Sequence, residues 1–202
     1  MKLILSLIGN IYFKTNYYRY QRRIKNLIKK GLMIGKNVTI EPTVMIDGNY
    51  PYLIKIGDNC SLAQGVKLLA HDATTFKFLD GHTRLGKIEI KDNVFIGTNA
   101  IILPGVTIGP DVLIAAGSVV NKDIPPNSCV AGAPARFYKK FEEFLSEMKT
   151  QINERPVFDH LEFSNIQDKQ ELKEKIKNAV KDGNAFKKGY QGRYSYTLYP
   201  DQ

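Results

Sequence analysis

Three histidines are available for chemistry in this chain: His71, His82 and His160. An imidazole can take a proton from a weak nucleophile near neutral pH and return it to a leaving group, so each is a candidate general base. Such a base works best when an acceptor orients its second ring nitrogen. Asp72 stands next to His71, but neighbouring side chains of an extended segment point to opposite faces, which makes it a poor partner. Asp47, Asp58 and a backbone carbonyl stay open as alternatives. The small residues Ala115, Ala116, Gly117 and Ser118 leave backbone N–H and C=O groups open to a ligand.

What must position these groups is a repeat. Counting in sixes from Ile90 gives Ile96, Ile102, Ile108, Ile114 and Val120, all branched aliphatics. A second phase four residues after each anchor holds Val94, Ala100, Val106, Val112, Ser118 and Ile124. Earlier stretches keep the rule in shifted frames: Ile34, Ile40 and Ile46, then Ile56, Leu62 and Leu68. Neither a helix nor a lone strand has this period. A triangular prism with one hexapeptide per face does, because each anchor then stacks on the one 18 residues away. The frame shift from Ile46 to Ile56 leaves four extra residues around Gly48, Asn49, Tyr50 and Pro51, and that from Leu68 to Ile90 leaves 16. The longer excursion begins beside His71, His82 lies inside it, and a polar loop of that length in a solenoid is a functional or packing arm.

The stretch KIEIKDNVFIGTNAIILPGVTIGPDVLIAAGSVVNKDIPPNSCVAGAPAR, Lys87 to Arg136, resembles the hexapeptide-repeat acyltransferases, a family of maltose, galactoside, xenobiotic and polysaccharide acetyltransferases. The similarity runs from about Ile34 to Phe137. It implies a mainly β fold, a left-handed parallel β-helix, in a homotrimer whose active sites lie between prisms and bind acetyl-coenzyme A. It also implies that His71 is the catalytic base and that Thr98, Ala116, Asn121, Lys122, Arg136 and Lys139 contact the coenzyme. By the same alignment Asp47 and Asn49, with Asp72 beside the base, face the acceptor; the plain alternative for Asp47 and Asn49 is turn formation. A backbone N–H near Ala100 or the Pro104 turn is a candidate oxyanion donor. The chain departs from the family at Phe95, where Trp is common, at Ala133, where Asn is common, and at Asn121, where Thr is common. None of these changes removes the base.

The ends fall outside the repeat. Nine of the 29 basic residues lie in residues 1–40, where no acid stands, and the other 20 match the 20 acids. A basic helix from about Leu3 to Lys30 (segment 1–33) therefore either caps the first coil or rests peripherally on an anionic membrane surface. The apolar run Leu3 to Phe13 has no small-residue cleavage site after it and reads as retained, and no stretch approaches the length that spans a bilayer. Nucleic-acid binding lacks any accompanying motif. The prism occupies 34–134, with excursions at about 47–52 and 72–87. The C-terminal segment 135–202 reads as a capping helix from Ala135 to Thr150, a linker at 151–165, a second helix capped by Asp168 with Leu172, Ile176, Ala179 and Val180 on one stripe, and a tyrosine-rich tail. Cys60 and Cys129, at or near inward phases, behave as small hydrophobes and agree with a reducing cytoplasmic setting, at the inner face of the membrane if the basic segment docks there.

Taken together, the expectation is an acetyl-coenzyme A dependent O-acetyltransferase of a sugar hydroxyl, such as one in a capsule or lipopolysaccharide precursor. The alternatives are N-acetylation of a nucleotide-linked amino sugar and a non-catalytic scaffold. No metal is expected, since the zinc enzymes that share this prism need three histidines at the metal.

Overall fold

The structure, a computed structural model, describes residues 19–159 and 169–188. They divide into two compact units, the described residues up to Phe141 and those from Glu142 onward.

In the first unit each hexad makes one short strand, and the chain turns after it. The first coil is β1 (Met33–Ile34), β2 (Thr39–Ile40) and β3 (Met45–Ile46), and the second is β4 (Ile54–Ile56), β5 (Ser61–Leu62) and β6 (Lys67–Leu68). An arm then leaves the coil as an antiparallel pair, β7 (His71–Asp72) with β8 (Arg84–Leu85). The third coil is β9 (Ile88–Ile90), β10 (Val94–Ile96) and β11 (Ile101–Ile102); the fourth is β12 (Thr107–Ile108), β13 (Val112–Ile114) and β14 (Val119–Val120). Equivalent strands of successive coils pair in parallel, so the prism has three sheets, one per face. Ile96 lies opposite Ile114, 18 residues on, while Ile46 lies opposite Leu68 after 22 and Leu62 opposite Ile96 after 34. The excursions of four and 16 residues therefore leave the register of the prism unchanged. Inward anchors form one continuous aliphatic core from Ile40 to Ile114.

Corners are where sequence choice is tightest. Asn37, Asn59, Asn93, Asp111 and Asn127 all adopt left-handed backbone, which Asn and Asp tolerate better than other side chains. Their side chains stack up one edge, Asn37 donating to Asn59 at 2.8 Å and Asn93 to Asp111 at 3.0 Å. At Gly97 the coils approach so closely that a Cβ would lie 2.5 Å from the backbone nitrogen of Ala116.

The last turn departs from the count in sixes. Ile124 bridges to Ile108 and takes the anchor position, and Ile114 lies opposite Val130 of β15 (Ser128–Ala131), each 16 residues on. The two prolines that follow Ile124 have no N–H to give a sheet, so the coil takes a shorter path. Residues 136–140 are also not helical. They form β16 (Arg136–Lys140), which turns back antiparallel on β15 and satisfies an otherwise open sheet edge.

Before β1, residues 19–29 form helix α1. Tyr20, Ile24 and Leu27 are buried in the same core as the first coil. The Tyr20 hydroxyl donates to the Ile40 carbonyl, and Arg23 Nη2 donates to the Val44 carbonyl at 2.7 Å. In these residues the basic segment packs on the first coil; the part before residue 19 lies outside the described residues. Cys60 and Cys129 are buried and form no disulfide, and burial pushes the Cys60 thiol up to about 11.

The second unit begins with α2 (Phe141–Glu154), later than the sequence pattern places it, with Glu142 and Glu143 at its positive end. The expected linker contains a strand, β17 (Val157–Asp159), which pairs in parallel with β18 (Phe186–Lys188). Between them α3 (Lys169–Ala179) buries Leu172. Asp168, His160 and the tyrosine-rich tail lie outside the described residues.

Candidate active site

His71 stands at the point where the arm leaves the prism. Its strand β7 follows β6 at the corner after the third face, and Asp47 follows β3 at the same corner one coil earlier. The 22-residue register brings them together. Ala70 donates its N–H to Asp47 Oδ2 at 3.1 Å, and His71 Nδ1 meets the same oxygen. Asp47 Oδ1 accepts the N–H groups of Asn49 at 3.0 Å and Tyr50 at 3.4 Å. Burial pushes the Asp47 carboxyl up, but the hydrogen bond from His71, the Asn49 N–H, the imidazole's charge and the Tyr50 N–H together outweigh it and hold the group below its usual 3.8.

The consequence is a defined tautomer. An ionised carboxylate only accepts, so Nδ1 of His71 carries the hydrogen and Nε2 keeps the lone pair when the ring is neutral. The Asp47 side chain is 1% exposed and that of His71 32% exposed, so the dyad is anchored inside and open outside. Among the described residues nothing hydrogen-bonds to Nε2. Tyr50 flanks the imidazole, with ring centroids 5.3 Å apart and planes tilted by 58°.

Asp47 is therefore the acceptor at Nδ1 of His71 that the sequence left open. Its carboxylate is occupied by His71 and three N–H groups, so it does not present the free face expected of an acceptor-binding residue. Asn49 contributes a backbone N–H to the Asp47 turn. Asp72 is also committed locally, accepting the Thr74 N–H at 2.9 Å within the arm, and Asp58 accepts the Lys36 N–H at 2.6 Å in another part of the prism. His82 is held by the arm, Nδ1 lying 2.5 Å from the Leu79 carbonyl. The Ala100 N–H is spent on the Gly97 carbonyl at 3.1 Å and cannot serve as an oxyanion donor; the Pro104 turn remains.

The candidate donor residues fall at two corners. Asn121 and Lys122 follow β14 at the His71 corner, two coils beyond β6 and hence about 10 Å along the axis. With Arg136 they line one cavity of about 330 Å³ that also takes in Pro125, Ala135 and Phe137. Its cations and half-apolar wall fit a ligand that carries phosphate on an organic chain. Lys139 sits further along β16 and is not part of this lining. Thr98 and Ala116 occupy the corner before the third face, both exposed, with the Thr98 carbonyl accepting the Gly117 N–H at 2.8 Å.

Residues 87–122 match the family described as bacterial transferase hexapeptide (six repeats). Protein CapG of Staphylococcus aureus is 39% identical over 122 residues, which cover 55% of this chain and 71% of that protein. The chain belongs to the hexapeptide transferase family. YvoF of Bacillus subtilis is 36% identical to this hexapeptide transferase over 118 residues, covering 58% of the chain and 66% of YvoF, just short of two thirds of its length. A solved galactoside acetyltransferase in complex with coenzyme A superposes with a TM-score of 0.51 at 28% identity, covering 67% of this chain and 82% of that one.

Proposed function

We propose that this protein is an acetyl-coenzyme A dependent O-acetyltransferase of a saccharide hydroxyl, with His71 as general base. The observation that carries the reading is the Asp47–His71 pair at a prism corner, with the second ring nitrogen exposed. In this mechanism the acceptor hydroxyl gives its proton to His71 Nε2 while its oxygen bonds to the thioester carbonyl carbon. The tetrahedral adduct then collapses, the C–S bond breaks, and the same proton passes to the departing sulfur. Asp47 holds the ring in the productive tautomer and stabilises the imidazolium between these steps. Tyr50 supplies an aromatic wall beside the acceptor. Lys122, Asn121 and Arg136 hold the phosphate end of the donor, and Thr98 and Ala116 contact its pantetheine chain through backbone groups.

The likeness to a galactoside acetyltransferase in complex with coenzyme A supports both the donor and the sugar class of acceptor. We take the coil as left-handed and the assembly as a homotrimer, as the family resemblance implies. The donor residues support an intersubunit site. A full hexad face, about 15 Å wide, separates the Thr98 corner from the Lys122 corner of one prism. A groove between neighbouring prisms lets the first corner of one protomer face the second corner of the next.

The test is a panel of sugars and lipid-linked or nucleotide-linked saccharides, read as acetyl-coenzyme A consumption. His71→Ala should lower kcat by roughly 10²- to 10⁴-fold with coenzyme A affinity unchanged, and full activity in that variant would refute the assignment. Lys122→Ala should chiefly weaken coenzyme A binding in titration calorimetry; unaltered affinity would remove Lys122 from the donor site.

A further inference from the structure

One surface of the first unit lies apart from the proposed catalytic and donor residues. Helix α1 divides cleanly around its axis. Tyr20, Ile24 and Leu27 recur at helical spacing and are buried against the first coil. Arg19, Arg22, Lys25 and Lys29 centre on the opposite side, and Lys30 extends them; all five are exposed. Arg23 lies at the border and is engaged, by the Val44 carbonyl and by the Tyr20 ring 5.8 Å from its guanidinium carbon. Among the described residues the other five cations have no ionic partner. The sequence supplies none nearby, since residues 1–40 contain no acid. Ile28 is 44% exposed beside the basic strip. A helix that needs only its apolar face to cap a prism gains nothing in folding from five like charges on the other side, where they repel one another.

We propose that the basic face of α1 docks this end of the prism on an anionic lipid surface. The helix is held on the first coil through Ile40 and Val44 and by its buried apolar face, so its cations on the opposite side face away from the core. Each lysine or arginine brought to an anionic bilayer adds about 1 kcal/mol of attraction, and five together outweigh what one exposed isoleucine contributes by insertion. A lipid surface is favoured over nucleic acid by that isoleucine at the edge of the strip and by the eight apolar residues among the eleven from Leu3 to Phe13. Docking has a geometric consequence. Val44, bound by Arg23, is three residues from Asp47, and His71 is one coil farther, so the base sits within roughly 15 Å of the helix. An acceptor with a lipid tail would then present its sugar at the right height. That consequence rests on the O-acetyltransferase reading, whereas the docking itself does not.

Vesicle co-sedimentation of the full chain tests it. The protein should pellet with phosphatidylcholine vesicles containing phosphatidylglycerol, remain in solution with phosphatidylcholine alone, and be released by high salt. The triple variant Arg22→Glu, Lys25→Glu and Lys29→Glu should partition about 100-fold or more weaker with an unchanged circular dichroism spectrum, and a charge-matched variant at Lys149, Lys173 and Lys181 should bind as the parent does. Equal sedimentation with both vesicle types, salt-independent binding, no binding to anionic vesicles, or equal loss in both variants each overturn the proposal. So does release from vesicles by single-stranded RNA at matched phosphate, which would point to a nucleic acid instead. If the α1 variant fails to fold, the salt series and the comparison of vesicle types decide alone. Loss of docking with retained acetyl transfer to a soluble sugar would leave the catalytic reading standing, and the reverse result would separate them the other way.

Discussion

The base proposed at His71 is only as good as the group behind it, Asp47. Its carboxylate, 1% exposed, is fixed by three backbone N–H groups and then used to hold His71, so the ring cannot rotate without breaking its bond to a buried, anchored acceptor. Asp47→Asn keeps the shape but turns an acceptor into a donor toward Nδ1, which favours the wrong tautomer. Its kcat should fall by about 10²-fold or more with little change in coenzyme A affinity, because the loss belongs to the transition state. The same residue sets an acid limb. Its folded pKa lies below its usual 3.8, so it stabilises the protein above that pH and the contribution fades as the pH falls through the folded value. Denaturant unfolding from pH 6 down to about pH 3 should show a shallower loss for Asp47→Asn than for the parent. Equal slopes would show that the carboxylate contributes nothing as an ion.

His71, the proposed base, stood out in the sequence because it lies where the repeat stops and at the position the family resemblance marks. Its partner did not, because Asp47 lies 24 residues earlier and reaches it only once the four-residue excursion has been counted into the coil. At the scale of elements the same contrast recurs. Branched aliphatics every six residues specify strands, faces and core together, since one spacing serves all three. The pattern fails where backbone chemistry overrides it: Pro125 and Pro126 shorten the last coil, and the edge of β15 recruits residues 136–140 as a strand although their apolar spacing resembles a helix. Glycine corners are equally specific. In Gly97→Ala the new methyl would stand 2.5 Å from the Ala116 nitrogen, a backbone atom that can yield only if two coils separate. The cost should be about 1–3 kcal/mol in denaturant unfolding. Because Ala116 is also a proposed donor contact, coenzyme A affinity should fall with it, and a variant of parental stability would show that the coils are not locked at this corner.

For the whole molecule the prism poses a question of reach. One chain carries the proposed base and the proposed phosphate-binding cations at one corner and the exposed Thr98–Ala116 turn at another, with a full face between them. Either the second corner is irrelevant to the donor, or each site is completed by a neighbour. Mixed assemblies distinguish the two. His71→Ala should be inactive through its base, and Ala116→Arg should be inactive by blocking the pantetheine path, each as a pure protein. If sites are shared between protomers, an equimolar mixture denatured and refolded together contains interfaces in which the intact His71 of one chain faces the intact Ala116 of another. With random mixing in a closed ring about a quarter of the sites are whole, so about a quarter of the parental rate should return. If each site belongs to one chain, every site in the mixture carries one of the two lesions and the rate stays at the level of the separate variants. Light scattering on the same sample should give three times the mass of one 22.8 kDa chain. A monomer that retains full activity would remove the shared site and the trimer together.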